Sequence, residues 1–254
     1  MLFRFLVASV VLLGYCLYKR IPIPKKDDLP LFVTSGFIGL FLYMWAFNAG
    51  TVFVSAGISS FLISTAPIFT LILSIFYLKE KTSPAIWLGV FISFGGLAII
   101  SFTQAGETQL NIGIILLLGA SIFTSIFTII QKRLLVKYSA IQASAYSVVI
   151  GTLFMFIFFP ALVREFPYAP TSANLIIVYL GVFPAAIAYF FWSLALSRAK
   201  KTIYVTSFLY LVPFLSSILA FFWLGEEISF LALIGGVIII GGMIITNVVK
   251  EHKK

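Results

Sequence analysis

The sequence predicts an all-α integral membrane protein of nine transmembrane helices, arranged as an inverted-topology repeat. Three observations lead there: a composition unsuited to water, nine apolar runs parted by short charged loops, and a helical stretch that recurs in the second half. Of 254 residues, 61% are hydrophobic and 10% charged, with a mean hydropathy of +1.14. A soluble domain is roughly half apolar and about a quarter charged, so the lipid bilayer is the solvent and first partner of this chain. The 28 Phe residues suit lipid-facing and packing surfaces rather than a cofactor box. A net charge of +9 does not indicate nucleic acid, because the 17 Lys and Arg sit in short loops and form no contiguous basic patch. Cys16 is the one cysteine and His252, in the charged tail, the one histidine. A disulfide framework, a thiolate metal site and histidine-based metal binding, triads or proton relays are thereby excluded, and neither metal nor cofactor is expected.

The helices follow from apolar length, since spanning about 30 Å of hydrocarbon takes roughly 17–25 residues. The first run, 1–19, carries Arg4, lacks an A-x-A cleavage pattern and is followed by eight more runs, so it reads as a span and not a removable signal. The loop KRIPIPKKDDLP then leads to 31–48, which holds Tyr43 and Trp45. The run 52–78 contains Pro67 and exits at Lys79-Glu80-Lys81, and the glycine-bearing run 84–101 follows. In 110–131 a hydroxyl stripe of Ser121, Ser125 and Thr128 ends at Gln131-Lys132, and Ser144, Tyr146 and Ser147 cluster in 139–159. Pro184, Tyr189 and Trp192 lie in 172–197, Tyr210 and Pro213 in 202–224, and further glycines in 229–249. Alternating sides along these nine runs puts fifteen Lys and Arg on one face and two, Arg4 and Arg164, on the other. Cationic loops stay inside, so the C-terminus is expected in the cytoplasm and the N-terminus outside the inner membrane.

The repeat is legible without a gap. PIFTLILSIFYLKEKTSPAIWLGVFISFGGLAIIS, from Pro67 to Ser101, matches PFLSSILAFFWLGEEISFLALIGGVIIIGGMIITN, from Pro213 to Asn247, at 12 of 35 positions. The identities include a proline, a glutamate (Glu80/Glu226) and three glycines (Gly89/Gly235, Gly95/Gly241, Gly96/Gly242), which bulk hydrophobicity does not place. An offset of five helices, an odd number, makes the two copies cross in opposite senses, the mark of many secondary transporters. Residues 1–104 and 105–254 are the two halves of one compact membrane domain.

The doubled pattern P-x12-E followed by G-x5-GG resembles the EamA-type transporters of the drug/metabolite transporter superfamily. That resemblance covers essentially the whole chain and implies two five-helix repeats exporting metabolites, amino acids or toxic compounds. The first span resembles the family's second helix, with an Arg-Phe pair near its outer end. The chain therefore reads as helices two to ten, four in the first half and five in the second; a mis-set start, a fragment and a true nine-helix variant are the alternatives.

Candidate functional residues follow from what is unusual in lipid. Pro67 and Pro213 are expected mid-helix, each freeing the carbonyl four residues back (Ile63 and Leu209), either as a flexing kink at the substrate site or as a fixed packing kink. Pro184 frees Leu180 and has no counterpart in the other half, an asymmetry that fits substrate shape. Tyr43 and Tyr189 are repeat mates flanked by Trp45 and Trp192; with Tyr210, Ser125 and Thr128 they are substrate-cavity candidates, although hydroxyls also join helices. Glu80 and Glu226 read either as solvated interfacial charges or as gates closing each face in turn. Gly89, Gly95, Gly96, Gly235, Gly241 and Gly242, with Gly236, form packing ridges between the last helices of the two halves or at a homodimer contact. All eight acids fall in loops, ends or tail, so proton coupling has no visible intramembrane carrier. Aromatics with a few hydroxyls suit a zwitterionic or amphipathic small molecule, and no phosphate cradle is present. The expected activity is export of small organic molecules by alternating access. A non-transporting subunit or inactive product is the rival, and a lipid-modifying enzyme lacks the clustered acid and histidine side chains that such chemistry needs.

Overall fold

The computed structural model describes residues 1–103, 112–224 and 230–248, and every regular element among them is helical. Lipid offers no hydrogen-bond partner, so an apolar run must satisfy its backbone within itself, and the helix is the way to do so. Seven helices are long and apolar enough to cross a membrane: Lys26–Gly50, Gly57–Tyr77, Pro84–Ser101, Ile112–Leu134, Ala140–Tyr168, Thr171–Arg198 and Phe230–Val248. Leu2–Tyr18 and Ile203–Leu219 are shorter apolar helices. These nine rods coincide in order and position with the nine apolar runs.

The chain separates into two compact units, one comprising Met1–Met44 and Ile126–Ala199, the other Trp45–Ser125 and Lys200–Lys254. Neither unit is a sequence half; each draws helices from both, so the repeat describes descent while compactness follows packing. The first unit has a core built on Phe5, Leu12, Leu40, Val148 and Met155, beside a smaller cluster of Phe32, Ile130, Leu134 and Ala143. Outside that core, Asp28 joins two loops: its carboxylate accepts from the Lys137 ammonium at 2.7 Å and the Tyr138 hydroxyl at 2.8 Å. The bonded Asp28 carboxylate holds the Lys137 ammonium above its ordinary range. A capping box at Ser139 and Gln142 opens the Ala140–Met155 helix. The second unit is built on Leu71, Ile86, Val90, Leu97, Ile100, Tyr210 and Ile239.

Among the described residues five of the rods are interrupted: Ala140–Tyr168 passes through 3-10 segments at Phe156–Phe158 and Phe166–Tyr168, and the other four fall in repeat-related pairs. In the second unit, Ala56–Ile63 ends, Ser64 and Thr65 turn, and Ala66–Tyr77 begins with Pro67 in its first turn. The equivalent rod runs from Ile203–Thr206 through a 3-10 turn, Ser207–Tyr210, into Leu211–Leu224, with Pro213 near its start. Pro67 and Pro213 are thus not mid-helix kinks as the sequence predicts. They open new helices, where a missing N–H removes a donor that has no intrahelical partner anyway. In the first unit, π-helical segments interrupt both mates: Phe37–Leu42 and Gly181–Ile187. Pro184 sits inside the second, yet the first forms without any proline. The asymmetry expected from Pro184 is one of sequence, and the backbone irregularity is shared.

One helix pair shows how the copies relate. Pro84–Thr103 and Phe230–Val248 are repeat mates packed face to face within the second unit. A Cβ on Gly89 would stand 2.6 Å from the Gly242 carbonyl oxygen, and one on Gly242 2.5 Å from that of Gly89. Gly96 and Gly235 likewise exclude a Cβ from each other's carbonyl at 2.6 Å in both directions. Residue numbers rise along one helix as they fall along the other, so the mates run antiparallel. Gly89 meets the mate of Gly96 and Gly96 meets the mate of Gly89, which is the reciprocity of a two-fold contact. Midway between them the Ser93 hydroxyl donates to the carbonyl of Ile239, its own counterpart 146 residues on, at 3.2 Å. A Cβ on Gly95 or Gly241 would meet nothing within 4 Å, so this contact does not use them, while Gly236 faces the Phe214 ring.

Candidate functional site

The irregular segments gather the polar side chains. At the break before Pro67, the Thr65 hydroxyl donates to Leu62 O at 2.6 Å and lies 2.9 Å from the Ser121 hydroxyl. Ser125 donates to the Ala66 carbonyl at 2.9 Å. Two serines of Ile112–Leu134 thus flank the break, Ser121 against the Thr65 hydroxyl and Ser125 against the first carbonyl of Ala66–Tyr77. Pro67, Pro213 and Ser125 are buried, whereas Trp45 is exposed. Tyr210 is fully buried, and neither its hydroxyl nor that of Thr206, one turn earlier, meets a hydrogen-bond partner. Orphaned buried hydroxyls are expensive, and two of them fall in the Ile203–Tyr210 stretch.

Glu80 does something the sequence does not announce. Its carboxylate accepts from the Thr202 backbone N–H at 3.1 and 3.0 Å and from the Thr202 hydroxyl at 2.7 Å. It thereby caps the start of the Ile203–Thr206 helix from 122 residues away. Burial pushes the neighbouring Lys201 ammonium down, and Glu80 opposes that. Glu80 is neither a freely solvated charge nor, in this conformation, a bare gate; it fastens the exit of one rod to the entrance of another. Glu226 lies outside the described residues.

In the first unit the residues around the π-segments meet. Tyr189 stacks edge-on to Phe127 with ring centroids 5.7 Å apart and tilts against Phe5 at 6.3 Å. Tyr43, Tyr189 and Trp192 all pack on the same apolar cluster, so the tyrosine mates are brought together, with Pro184 on the π-segment just ahead of Tyr189. Thr128 is buried in the same unit. Gln131, fully buried, donates to Ser147 at 2.9 Å and to Ser35 at 3.3 Å, and Ser193 reaches its carbonyl oxygen at 3.4 Å. At the next residue the Lys132 ammonium bonds the carbonyls of Leu196 and Ala199, where the end of a helix favours a cation. Ser35 and Ser193 escaped notice because isolated serines in an apolar run carry no pattern; Gln131, a large amide in such a run, is the signal that points to them.

Hydroxyls, aromatic faces and few charges are an arrangement for holding a small, partly apolar molecule. Among the described residues no group of three or more His, Cys, Asp or Glu is placed to hold a metal ion. The EamA-like transporter family model matches residues 1–102 and 111–248. The chain is 37% identical to an uncharacterized transporter, YdfC, of Bacillus subtilis, over 96% of this chain and 80% of that one. It is 33% identical to a protein named "Probable terminal-alkyne amino-acid exporter" of Streptantibioticus cattleyicolor, over 96% and 82%. A crystal structure 18% identical in sequence superposes with a TM-score of 0.77, covering 97% of this chain and 85% of that one, which shows the fold alone. The chain is a multi-pass membrane transporter and belongs to the EamA-like transporter family.

Proposed function

We propose that the protein exports small zwitterionic or amphipathic organic molecules, amino acids among them, across the inner membrane by alternating access. The single observation that carries this reading is the antiparallel, reciprocal packing of Pro84–Thr103 on Phe230–Val248, with Ser93 bonded to its own repeat mate. A chain built of two copies in opposite senses has two equivalent asymmetric states, because each copy can take the conformation of the other. Irregular helices at repeat-related positions supply the places to bend. The C-terminus faces the cytoplasm in this reading, on the side that holds most Lys and Arg. The named activity of the Streptantibioticus relative favours amino acids as cargo. The proposed substrate-facing groups are Tyr43, Thr128, Tyr189 and Trp192 in the first unit and, taken separately, Ser125 and Tyr210 in the second. The test is counterflow in vesicles reconstituted with the purified chain, across a panel of neutral amino acids and amphipathic amines. Uptake of at least one compound well above empty vesicles is expected. No compound exceeding the empty-vesicle rate would overturn the proposal.

A further inference from the structure

Arg4 lies in the first turn of Leu2–Tyr18, flanked on both sides by apolar residues. Other cations of the chain are visibly engaged: Lys132 on two helix-end carbonyls and Lys137 on Asp28. Arg4 is different. Its Nε is buried and meets no hydrogen-bond partner, and among the described residues no carboxylate lies within ion-pair distance of it. The guanidinium carbon stands 5.6 Å from the Phe5 ring centroid. Phe5 packs against Tyr189 and Tyr189 against Phe127. Tyr43 and Tyr189 both pack on the apolar cluster that contains Phe5. Gly181, opening the second π-segment, lies against the Arg4 backbone: a Cβ there would stand 2.8 Å from the Arg4 carbonyl oxygen. The other ionic groups nearby are the Met1 amine and, acting on that amine, Glu165.

A planar guanidinium offers parallel N–H donors matched to the two oxygens of a carboxylate. The phenols of Tyr43 and Tyr189, on the cluster that contains Phe5, add donors, and the rings of Phe5, Phe127 and Tyr189 offer an apolar wall for the rest of the molecule. We propose that Arg4, supported by Tyr43 and Tyr189, is the anion-recognition group of the substrate site and holds the carboxylate of the transported molecule. The inference rests on the transport reading above, and names the end of the substrate that is read.

The experiment is equilibrium binding to the purified full chain in detergent, run beside vesicle counterflow. The probes are neutral amino acids and their C-terminal amides. Wild type is expected to bind an acid more tightly than its amide. Arg4→Gln should weaken the acid roughly tenfold to a hundredfold, the range of a charge-assisted pair, and leave the amide unchanged; Arg4→Lys should fall between. Acid and amide binding equally to wild type overturns the inference with no variant needed, so a misfolded Arg4→Gln does not shield it. Binding of neither form overturns it too. A third arm adds phosphatidylglycerol: if the lipid binds in an Arg4-dependent way and acids do not displace it, a headgroup phosphate is the ligand and the carboxylate proposal fails. Acid-selective, Arg4-dependent binding with no counterflow sustains the Arg4 assignment while refuting export; counterflow that is indifferent to Arg4 does the reverse.

Discussion

Single side chains decide how the irregular backbone is tolerated. Glu80 collects three hydrogen bonds from Thr202, so Glu80→Ala uncaps a helix and should lower stability by about 1 kcal/mol, read as a lower midpoint in thermal unfolding in detergent. Glu80→Gln keeps an acceptor and should cost less. If both variants melt with wild type, the capping role is wrong. Gln131 joins Ser35, Ser147 and Ser193 in a dry cluster. Gln131→Leu takes the acceptor from the buried Ser193 hydroxyl and leaves Ser35 and Ser147 only each other, and should destabilise by roughly 1–3 kcal/mol. The sequence marks Gln131 by its oddity in an apolar run and marks Glu80 by its repetition. It is silent on Thr202, because a cap across 122 residues leaves no local trace.

Helices were legible as rods and illegible as broken rods. Apolar length locates the nine segments because lipid tolerates little else, and each lands on a helix. Interruptions depend on which hydrogen bond a carbonyl accepts, and hydrophobicity does not record that. Pro67 and Pro213 do flag one pair, although each begins a helix and does not bend one. Phe37–Leu42 has no proline and is π-helical all the same, while Gly181–Ile187 has Pro184. Proline is therefore not the cause of the second segment, and Pro184→Ala should preserve fold and transport; loss of counterflow there would contradict the equivalence of the two. The glycine ridge separates in the same way. Gly96→Ala and Gly242→Ala push a Cβ into a facing carbonyl and should destabilise by about 1–3 kcal/mol. Gly95→Ala and Gly241→Ala meet open space and should be neutral or, by helix propensity, slightly stabilising. A thermal-unfolding series over the four variants tests that division, and equal costs at all four would refute the assigned contact.

The molecule as a whole is organised by its repeat, though not into halves. Its compact units each combine helices from both copies, and each unit holds a matched pair of irregular rods, the first unit also holding the interrupted Ala140–Tyr168. Cutting the chain at its sequence midpoint would therefore split both cores. Everything functional that is proposed here depends on the copies crossing the bilayer in opposite senses, which the reciprocal packing about Ser93 and Ile239 expresses within one unit. The most direct measurement uses exposed repeat mates at helix starts, Lys26 and Ser172. In a Cys16→Ala background, Lys26→Cys and Ser172→Cys are labelled singly with a membrane-impermeant maleimide in intact cells and in inverted vesicles. The account predicts that Ser172→Cys reacts from outside and Lys26→Cys from the cytoplasmic face; both reacting from the same face would contradict it.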